Sequence, residues 1–596
     1  MKKFTAILIT ALLASPGCKP PPKKAVVQET TTGKPYTVFK YARSSAHKSL
    51  DPMRQFDGAS GDIIQNLYDG LLQYNYLKRP YELEPNIAAK MPEPSADGLS
   101  YTWTIRDDVF FIDNACFPDG KGRKVTVDDV IYSIKRFADA NVNTTSYPVL
   151  LKGVIAGLDE FRKKTRENKT LDYDAETVSG LKKVDERTFV MTLTKKNPLA
   201  LMPFAVSALA IVPREAVKKY GPDFQHNPVG TGPYRMDKYE RRGVMVLKKN
   251  ERYHGRYPSS GSDEDKANGL LEDAGKKVPF IDEIQLPLVE ESQPRMIKFK
   301  KGLLDWVALD KTNFTKMAVN DAQGIRLKPE FAKKYRFYSA KGLDASYFQF
   351  NMKDPVVGQN KALRQAFAHA LNIPEYIDRM RNGRGVKLRS VVPHEIFGSE
   401  KDSGATGHDF NLEKAKKRLA DAGFPEGKGL QPLVIELPGT NKAIRDVGEY
   451  FRIALAKAGI KAEMSYQDFS SYLKKVDAAN FQIAYGSWAA DYPDSENFFQ
   501  LLYGPNKAPG PNHGSYTNPE FDKLYEEMRF MNNGPERLAV IRKMVTILDE
   551  DAPFALVANS IRFGLYQPWV KNLKRNLMAD FPIKYFRIER SAPAKE

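Results

Sequence analysis

The 596-residue chain alternates short strands with capped amphipathic helices, and this alternation predicts a mixed α/β fold. Apolar and polar residues alternate over 37–41, as they do in a half-buried strand. Thr126 followed three residues later by Asp129 predicts the start of a helix, and a further helix is expected from an Asn411 cap to Gly423. A chain of this length exceeds what one hydrophobic core supports, so at least two lobes are expected.

Local signals also predict where helices stop and where loops begin. The helix expected over 362–371 should end at Asn372, because Pro374 follows shortly after it. Two segments rich in polar and charged residues, 141–172 and 258–277, resemble insertions. The second carries Gly, Ser and alternating charges, and is predicted to be an exposed loop.

The amino-terminal residues have the composition of an export signal. Residues 1–3 are basic at positions 2 and 3, residues 4–14 form a short apolar core, and small residues follow before Cys18. The apolar core is too short to span a bilayer, and no later segment is long and apolar enough to do so. We therefore predict that residues 1–17 are a signal peptide and that the remaining chain is exported.

The residues before Cys18, Ser-Pro-Gly, resemble a bacterial lipoprotein cleavage box, which implies that Cys18 is acylated. Residues 18–32 begin with Lys-Pro-Pro-Pro-Lys-Lys after the cysteine and predict a stiff basic tether. Ordinary signal cleavage, with release of a free protein, is the alternative. Acylation would leave Cys116 unpaired as a small apolar filler, whereas a free Cys18 leaves a disulfide to Cys116 open.

The chain is basic, with 91 Lys and Arg against 73 Asp and Glu and a formal charge of +18. Removal of residues 1–17 takes away Lys2 and Lys3 and no acid, which leaves +16. Such a balance favours residence near anionic lipid or anionic ligands. The basic residues are dispersed in short groups such as 333–336 and 414–418, and no nucleic-acid module is present, so we expect no nucleic-acid partner.

Trp488 and Asp491, an indole and an acid, lie close together in the sequence after a predicted strand. Residues 481–485, Phe-Gln-Ile-Ala-Tyr, predict a short strand that leads Trp488 and Asp491 into a Pro-containing loop. A carboxylate beside an indole suits a ligand that carries an ammonium group next to apolar bulk. On spacing alone, Asp491 as a turn residue and Trp488 as a core residue are the alternative.

This stretch resembles the substrate-binding proteins of ABC importers, in the oligopeptide- and dipeptide-binding group (solute-binding family 5). In that family a Trp-x-x-Asp holds the amino terminus of a bound peptide, and Trp488 and Asp491 match it. The resemblance recurs in order in seven other segments, which are residues 49–52, 66–72, 101–111, 125–133, 229–234, 363–372 and 419–425.

The resemblance implies a fold that composition alone does not give. Members of the family have the two-lobed α/β periplasmic-binding-protein fold of the large type, with an extra subdomain and with the ligand cleft between the lobes. Carried onto this chain, lobe I holds residues 33–65, 186–338 and 563–596, its subdomain holds 66–185, and lobe II holds 339–562. Asp491 and Trp488 would then face the cleft from lobe II.

The resemblance also suggests further ligand contacts. Tyr347 lies on the first crossing strand, where relatives have aromatic side chains along the wall of the ligand site. Phe469 occupies a position where some relatives have Trp. A core role is the alternative for both aromatic residues. Oligopeptide binders hold the peptide carboxylate with an Arg three residues before the Trp, where this chain has Tyr485.

A second region of the family also binds the carboxylate, through a His or an Arg that follows an upstream strand. This chain has Lys442 and Arg445 there, as nearby cations that would substitute. A surface charge on a helix is the alternative for Arg445. With the known carboxylate anchors missing, the ligand is either a longer peptide with a differently held end or another amine.

No enzyme signature competes with a binding function. The seven histidines form no HxxxH or HxH pair, and no Gly-x-Ser-x-Gly, phosphate-binding loop or Cys pair is present. We therefore predict a monomeric, cofactor-free and metal-free binding protein of the periplasm or cell surface, which delivers peptides to an ABC permease with its ATPase subunits. A nickel complex, haem, an opine or an oligosaccharide is the alternative cargo, and an exported hydrolase is the alternative class.

Overall fold

The computed structural model describes residues 36–590, except 56, 143, 145, 322, 323, 579 and 580. The predicted signal peptide, the tether and Cys18 lie outside these residues. Within the described part of the chain, no helix is long and apolar enough to cross a membrane.

The strands of the described residues, in chain order, are β1 (Val38–Lys40), β2 (Leu72–Tyr74), β3 (Leu83–Pro85), β4 (Glu93–Pro94), β5 (Ser100–Thr104), β6 (Leu181–Lys183), β7 (Thr188–Thr192), β8 (Tyr234–Lys238), β9 (Val244–Lys249), β10 (Glu283–Pro287), β11 (Trp306–Ala308), β12 (Ala318–Asp321), β13 (Gly324–Leu327), β14 (Arg336–Lys341), β15 (Asp344–Phe350), β16 (Gly385–Lys387), β17 (Leu433–Pro438), β18 (Ala462–Gln467), β19 (Ile483–Ala489), β20 (Phe554–Leu556), β21 (Ala558–Tyr566), β22 (Val570–Lys571) and β23 (Arg587–Ile588).

The α-helices of the same residues are α1 (Gly58–Leu67), α2 (Val127–Ala138), α3 (Tyr147–Leu150), α4 (Leu158–Glu167), α5 (Arg214–Tyr220), α6 (Asp263–Ala267), α7 (Ser292–Lys300), α8 (Lys311–Met317), α9 (Pro329–Ala332), α10 (Lys361–Ala370), α11 (Ile373–Arg381), α12 (Glu400–Ser403), α13 (Leu412–Asp421), α14 (Lys442–Lys457), α15 (Phe469–Asp477), α16 (Glu496–Phe499), α17 (Pro519–Met528) and α18 (Pro535–Asp551).

Two of these helices begin where the sequence predicts. Thr126 and Asp129 form the capping box of α2, and the Asn411 side chain accepts the Lys414 N–H at the start of α13. The prediction that Asn372 ends α10 is wrong in part. Asn372 caps the start of α11, with Pro374 in its first turn, where a missing N–H costs nothing.

The amino-terminal half is built on two four-stranded sheets that share one hydrophobic core. One sheet has the order β1-β10-β9-β8, and the other has the order β4-β5-β7-β6. Trp103 on β5 is fully buried and stacks on Phe189 of β7, with 5.8 Å between ring centroids. Phe39 on β1 lies in the same core against Phe586, so the end of the chain completes it.

A five-stranded mixed sheet, in the order β18-β17-β19-β15-β20, organises the later part of the chain. Every residue of β15 is buried, as expected for a central strand with both faces covered. Phe348 faces a core that includes α10, α13 and α14, whereas Tyr347 faces a second core that includes α16, α17 and α18.

The chain passes between these two parts through neighbouring strands. β14 leads directly into β15, and β20 leads directly into β21. β21 lies between β11 and β14 in a separate sheet and also pairs with β16. The predicted lobe boundaries at 338/339 and 562/563 fall inside β14 and β21.

The 258–277 segment is not simply an exposed loop. Most of it is exposed, but it contains α6, which a Ser262–Asp265 capping box begins. Asp265 and Asp273 are buried and form ion pairs with Lys574 and Arg587, at 2.5 and 3.0 Å. Two of the acids in this segment therefore bind the carboxyl-terminal part of the chain through ion pairs. Local composition does not reveal such long-range contacts.

Candidate ligand-binding site

The pairing of β19 with β15 determines on which face of the sheet each predicted site residue lies. Trp488 lies opposite Ala345, and Gly486 lies opposite Tyr347. The sequence placed Trp488 in a loop, but β19 continues to Ala489 and only Asp491 lies beyond it. Because opposed residues share a sheet face, Trp488 and Tyr347 lie on one face.

A buried amide binds both predicted anchors. The Asn497 side chain is fully buried, and its Oδ1 accepts from Trp488 Nε1 and from the Asp491 N–H, at 3.0 Å each. Its Nδ2 donates to Asp491 Oδ2 at 3.1 Å. Three bonds to one amide therefore fix the indole and the carboxylate relative to each other. No local sequence pattern points to Asn497, because its contacts with Trp488 and Asp491 form only when α16 packs against the end of β19.

Asp491 is partly exposed, but the atoms packed around it withhold water from its carboxylate. The pKa of Asp491 is raised to about 6, chiefly by burial, with a contribution from the nearby charge of Glu496. The bond from Asn497 opposes this rise, since it stabilises the ionised form. Pairing with a cation would therefore stabilise the ionised form of this carboxylate.

Tyr74, on β2, brings a phenol from a distant part of the chain towards this loop. Burial raises the pKa of the Tyr74 phenol, and the charges of Asp494 and Asp491 add to the rise. Its hydroxyl is buried and has no hydrogen-bond partner within the described residues. Tyr74 was also missed, although it lies two residues beyond a segment that carries the family resemblance.

Tyr347 and Phe469 have different surroundings. The Tyr347 ring is buried and stacks on Phe554 at 4.1 Å between centroids, so its contacts are those of a core residue. Phe469, the first residue of α15, is 49% exposed. The Lys48 ammonium lies 6.0 Å from the centroid of its ring, which joins the two halves of the chain at this point.

Tyr485 and Arg445 are not brought together with Trp488. Tyr485 lies on the opposite face of β19, where its ring packs with Phe348 and Phe451. Arg445 is exposed in the first turn of α14, where its Nε donates to the Thr440 carbonyl at 3.0 Å. Lys442 nearby is paired with Asp446.

A cavity of about 290 Å³ lies beside the loop that follows Asp491. Its lining includes Tyr492, Glu496 and Arg529, together with Lys195 and Asn197 from the amino-terminal half of the chain. The Tyr492 and Tyr525 hydroxyls both donate to the Glu496 carboxylate.

Other reactive groups in the described residues do not form a second site. Cys116 is half-buried and has no disulfide partner among the described residues. Burial raises the pKa of its thiol to about 11, which makes it a poor nucleophile. Among the described residues, no group of three or more His, Cys, Asp or Glu side chains is arranged to hold a metal ion.

We expect Asn497→Ala to weaken both the fold and the site. The change leaves the Trp488 indole N–H and the Asp491 N–H without their acceptor, which should cost about 1–3 kcal/mol of unfolding free energy. Affinity for a ligand amine that pairs with Asp491 should fall roughly tenfold, since the carboxylate loses its orientation. Urea unfolding and calorimetry measure the two effects. Ser495→Ala is the matched control, because Ser495 is equally buried but its hydroxyl has no partner in the described residues. Equal effects of the two changes would exclude this role for Asn497.

Affinity for a free-amine ligand should depend on pH through Asp491. Below its pKa of about 6 the carboxylate is protonated and no longer attracts an ammonium group. Affinity should therefore fall by about tenfold per pH unit below pH 6, down to the lower pKa of the complex. Because the pKa in the folded state is raised, the same group makes the ligand-free protein more stable as the pH falls from about 6 towards 4. An Asp491→Asn variant should lose the affinity slope, and a slope that persists would contradict the assignment.

Comparison with known proteins agrees with this architecture. The family model for bacterial extracellular solute-binding proteins, family 5, matches residues 82–510. The chain is 24% identical over 587 residues to heme-binding protein A of Haemophilus influenzae, covering 96% of each chain. It is also 24% identical over 548 residues to the dipeptide-binding protein of Escherichia coli, covering 90% of this chain and 91% of that one.

A solved structure has the same fold. The periplasmic binding protein DppA of Helicobacter pylori, in complex with the peptide STSA, superposes with a TM-score of 0.74 at 22% identity. The match covers 93% of this chain and 98% of that one, so the two-lobed fold extends through the described residues. On these grounds the chain belongs to the bacterial extracellular solute-binding proteins of family 5.

Proposed function

We propose that this chain is the extracytoplasmic peptide-binding component of an ABC importer, and that it delivers its ligand to a membrane permease. The observation that carries the proposal is the Asp491 carboxylate, held by Asn497 beside the Trp488 indole with its pKa raised by burial. A desolvated carboxylate next to an aromatic plane suits the free amino terminus of a peptide and its first side chain. Relatives named as dipeptide- and oligopeptide-binding proteins support the same ligand class.

The binding cleft lies, on this proposal, between lobe I (33–65, 186–338 and 563–596, with the subdomain 66–185) and lobe II (339–562). Separate hydrophobic cores on either side of the crossing strands support this division. Lobe II supplies Asp491 and Trp488, and the subdomain supplies Tyr74. The proximity of Lys48 to Phe469 supports a position for Phe469 at the rim of the closed cleft.

The carboxylate end of the peptide is not assigned to Tyr485 or Arg445. The core position of Tyr485 and the exposed position of Arg445 give neither residue support as an anchor. Recognition through main-chain hydrogen bonds, as in the addition of a strand to a sheet edge, would bind peptides without a dedicated anchor for the carboxylate.

Mass spectrometry of ligand released from the unheated, purified protein tests the proposal. We expect a set of short peptides with free amino termini. Haem is a second candidate cargo, favoured by the match to heme-binding protein A over 96% of the chain. A haem absorption band with no peptide in the released fraction would replace the proposal with that cargo. Loss of added peptide through turnover would identify an exported hydrolase instead.

We also propose that the protein lies in the periplasm or at the cell surface, anchored to a bacterial membrane through an acylated Cys18. Relatives named as periplasmic binding proteins support an extracytoplasmic location. Metabolic labelling with a fatty acid should mark the wild-type protein but not Cys18→Ser. An unlabelled wild-type protein in the soluble periplasmic fraction would refute lipidation.

A further inference from the structure

The carboxyl end of α7 exposes two aliphatic side chains that the fold does not need to expose. Ile297 is 53% exposed and Leu303 is 50% exposed, in a protein that buries nearly all its large apolar residues. The Leu303 N–H donates to the Lys298 carbonyl and the Gly302 N–H to the Phe299 carbonyl, each at 2.9 Å. These bonds form a Schellman motif, with Gly302 in the left-handed conformation at φ +68°. In a Schellman motif the residue after the glycine commonly packs towards the last helical turn, so we treat Leu303 and Ile297 as one aliphatic patch.

Three exposed lysines flank this patch along the chain, and two more follow the neighbouring helix α9. Lys298, Lys300 and Lys301 lie on the same turn of chain, and all are exposed. Lys333 and Lys334, also exposed, follow α9, whose neighbour Tyr335 packs on Phe299 of α7 at 5.0 Å between ring centroids. Within the described residues none of the five takes part in an ion pair. We call Ile297, Leu303 and these five lysines the α7 patch.

Helix dipoles explain only part of this arrangement. Cations at the carboxyl end of α7 are favourable, and the acids Glu291 and Glu330 lie at the amino ends of α7 and α9. A dipole does not account for two half-exposed aliphatic side chains next to these lysines. Exposed apolar side chains combined with several lysines are the composition of a surface that contacts a membrane interface.

The α7 patch lies on the outer side of its part of the fold. Met296 and Phe299 of α7 bury themselves against Val307, Phe563 and Leu565, which occupy one face of the β11-β21-β14 sheet. The patch faces away from that sheet. Leu304 and Asp305 follow it directly, and Asp305 Oδ2 accepts the Lys40 N–H of β1 at 2.7 Å. The patch therefore sits close to the first strand, where the chain enters the folded protein.

We propose that the α7 patch rests on the anionic surface of a phospholipid membrane. Lysine ammonium groups are attracted to anionic headgroups, while Ile297 and Leu303 reach the boundary with the acyl chains. The net charge, +16 without Lys2 and Lys3, adds attraction to an anionic surface over a longer range. This contact is independent of the cleft and of the ligand. It would hold the protein flat against the bilayer, in addition to any anchor on Cys18.

Vesicle co-sedimentation tests the proposal with residues 18–596 carrying Cys18→Ser, which removes any acyl chain. The protein should bind vesicles that contain phosphatidylglycerol and should not bind vesicles of phosphatidylcholine alone. Replacing Lys298, Lys300 and Lys301 by Gln should lower the partition coefficient on the order of 100-fold. The double change Ile297→Ser and Leu303→Ser should lower it roughly tenfold. Raising the salt concentration to about 1 M should release the protein.

Matched variants separate the patch from the overall charge. Replacing Lys414, Lys416 and Lys417 by Gln makes the same change in net charge on α13, where all three are exposed. Equal losses in the two triple variants would show that only total charge matters, and would overturn the proposal. Ile453→Ser, at a position 46% exposed on α14, should have no effect.

Two further outcomes would also overturn the proposal. One is an absence of binding to either vesicle. The other is slower uptake in cells by the patch variants with unchanged vesicle binding, which would identify the α7 patch as a permease contact. Peptide affinity should be the same in every variant, so failure here would leave the proposed peptide function standing.

Discussion

Replacing Asp491 by alanine is expected to weaken binding of a free-amine peptide on the order of 10²- to 10³-fold. In the complex the ammonium group of the ligand is buried, and the substitution leaves it without its partner. Loss of one partner of a buried ion pair costs about 3–5 kcal/mol. The free protein should lose little stability, because its raised pKa shows that the ionised Asp491 is already poorly solvated there.

A double-mutant cycle between protein and ligand isolates this contact. Acetylation of the peptide amine should weaken binding to the wild type by a comparable factor and should barely affect binding to Asp491→Ala, because both changes remove the same interaction. Calorimetry with both proteins and both ligands measures the four affinities. Asp549→Ala is the control, since burial also raises the pKa of Asp549 but its partners are Thr406 and Gly407. Four equal affinities for wild type and Asp491→Ala would exclude an amine anchor at this position.

The second large effect is expected from Arg537→Met, which should cost about 3–5 kcal/mol of unfolding free energy. Arg537 and Asp494 are 1% and 2% exposed, and they form a bidentate pair with N–O distances of 2.6 and 2.7 Å. Asp494 lies in the loop between Asp491 and Asn497, so the pair fastens the candidate site to α18. Methionine fills the space of the side chain but leaves the Asp494 carboxylate buried without a cation.

Chemical denaturation of Arg537→Met, Asp494→Asn and the double variant would measure this coupling. The double variant should be more stable than the sum of the single losses predicts, because no charge is left unpaired. Arg542→Met serves as the control on the same helix, where the side chain is exposed and bonds only the Asp402 carbonyl. A loss below about 1 kcal/mol in Arg537→Met would show that the pair contributes little.

The features that could be predicted from the sequence are those that depend on interactions between residues close together in the chain. The Thr126 and Asn411 caps were correct because a cap is made within four residues. Trp488 and Asp491 remain predicted ligand contacts, which rest on their spacing and on the family resemblance. The strand that carries Trp488 runs further than predicted, because its pairing with Ala345 of β15 overrides the polar character of the Gly486-Ser487 pair.

Long-range contacts account for what was missed. Asn497 depends on α16 folding back on β19, and Tyr74 reaches the same loop from a strand more than 400 residues earlier in the chain. Neither residue has a local pattern that distinguishes it from an ordinary Asn or Tyr. The buried acids of the 258–277 segment belong to the same class, since their partners Lys574 and Arg587 lie near the end of the chain.

The carboxyl-terminal residues complete structures that the amino-terminal residues begin, and this constrains the order in which the protein can fold. β21 fills the gap between β11 and β14, and Phe581 and Phe586 close over Phe39. Because the chain is synthesised amino end first, β11 and β14 have no strand between them until residue 566 has been made. The five-stranded sheet, complete at Leu556, is available earlier. The amino-terminal part of the protein is therefore synthesised first but completes its folding last. A chain that lacks roughly its final thirty residues would leave the amino-terminal hydrophobic core exposed to chaperones and proteases.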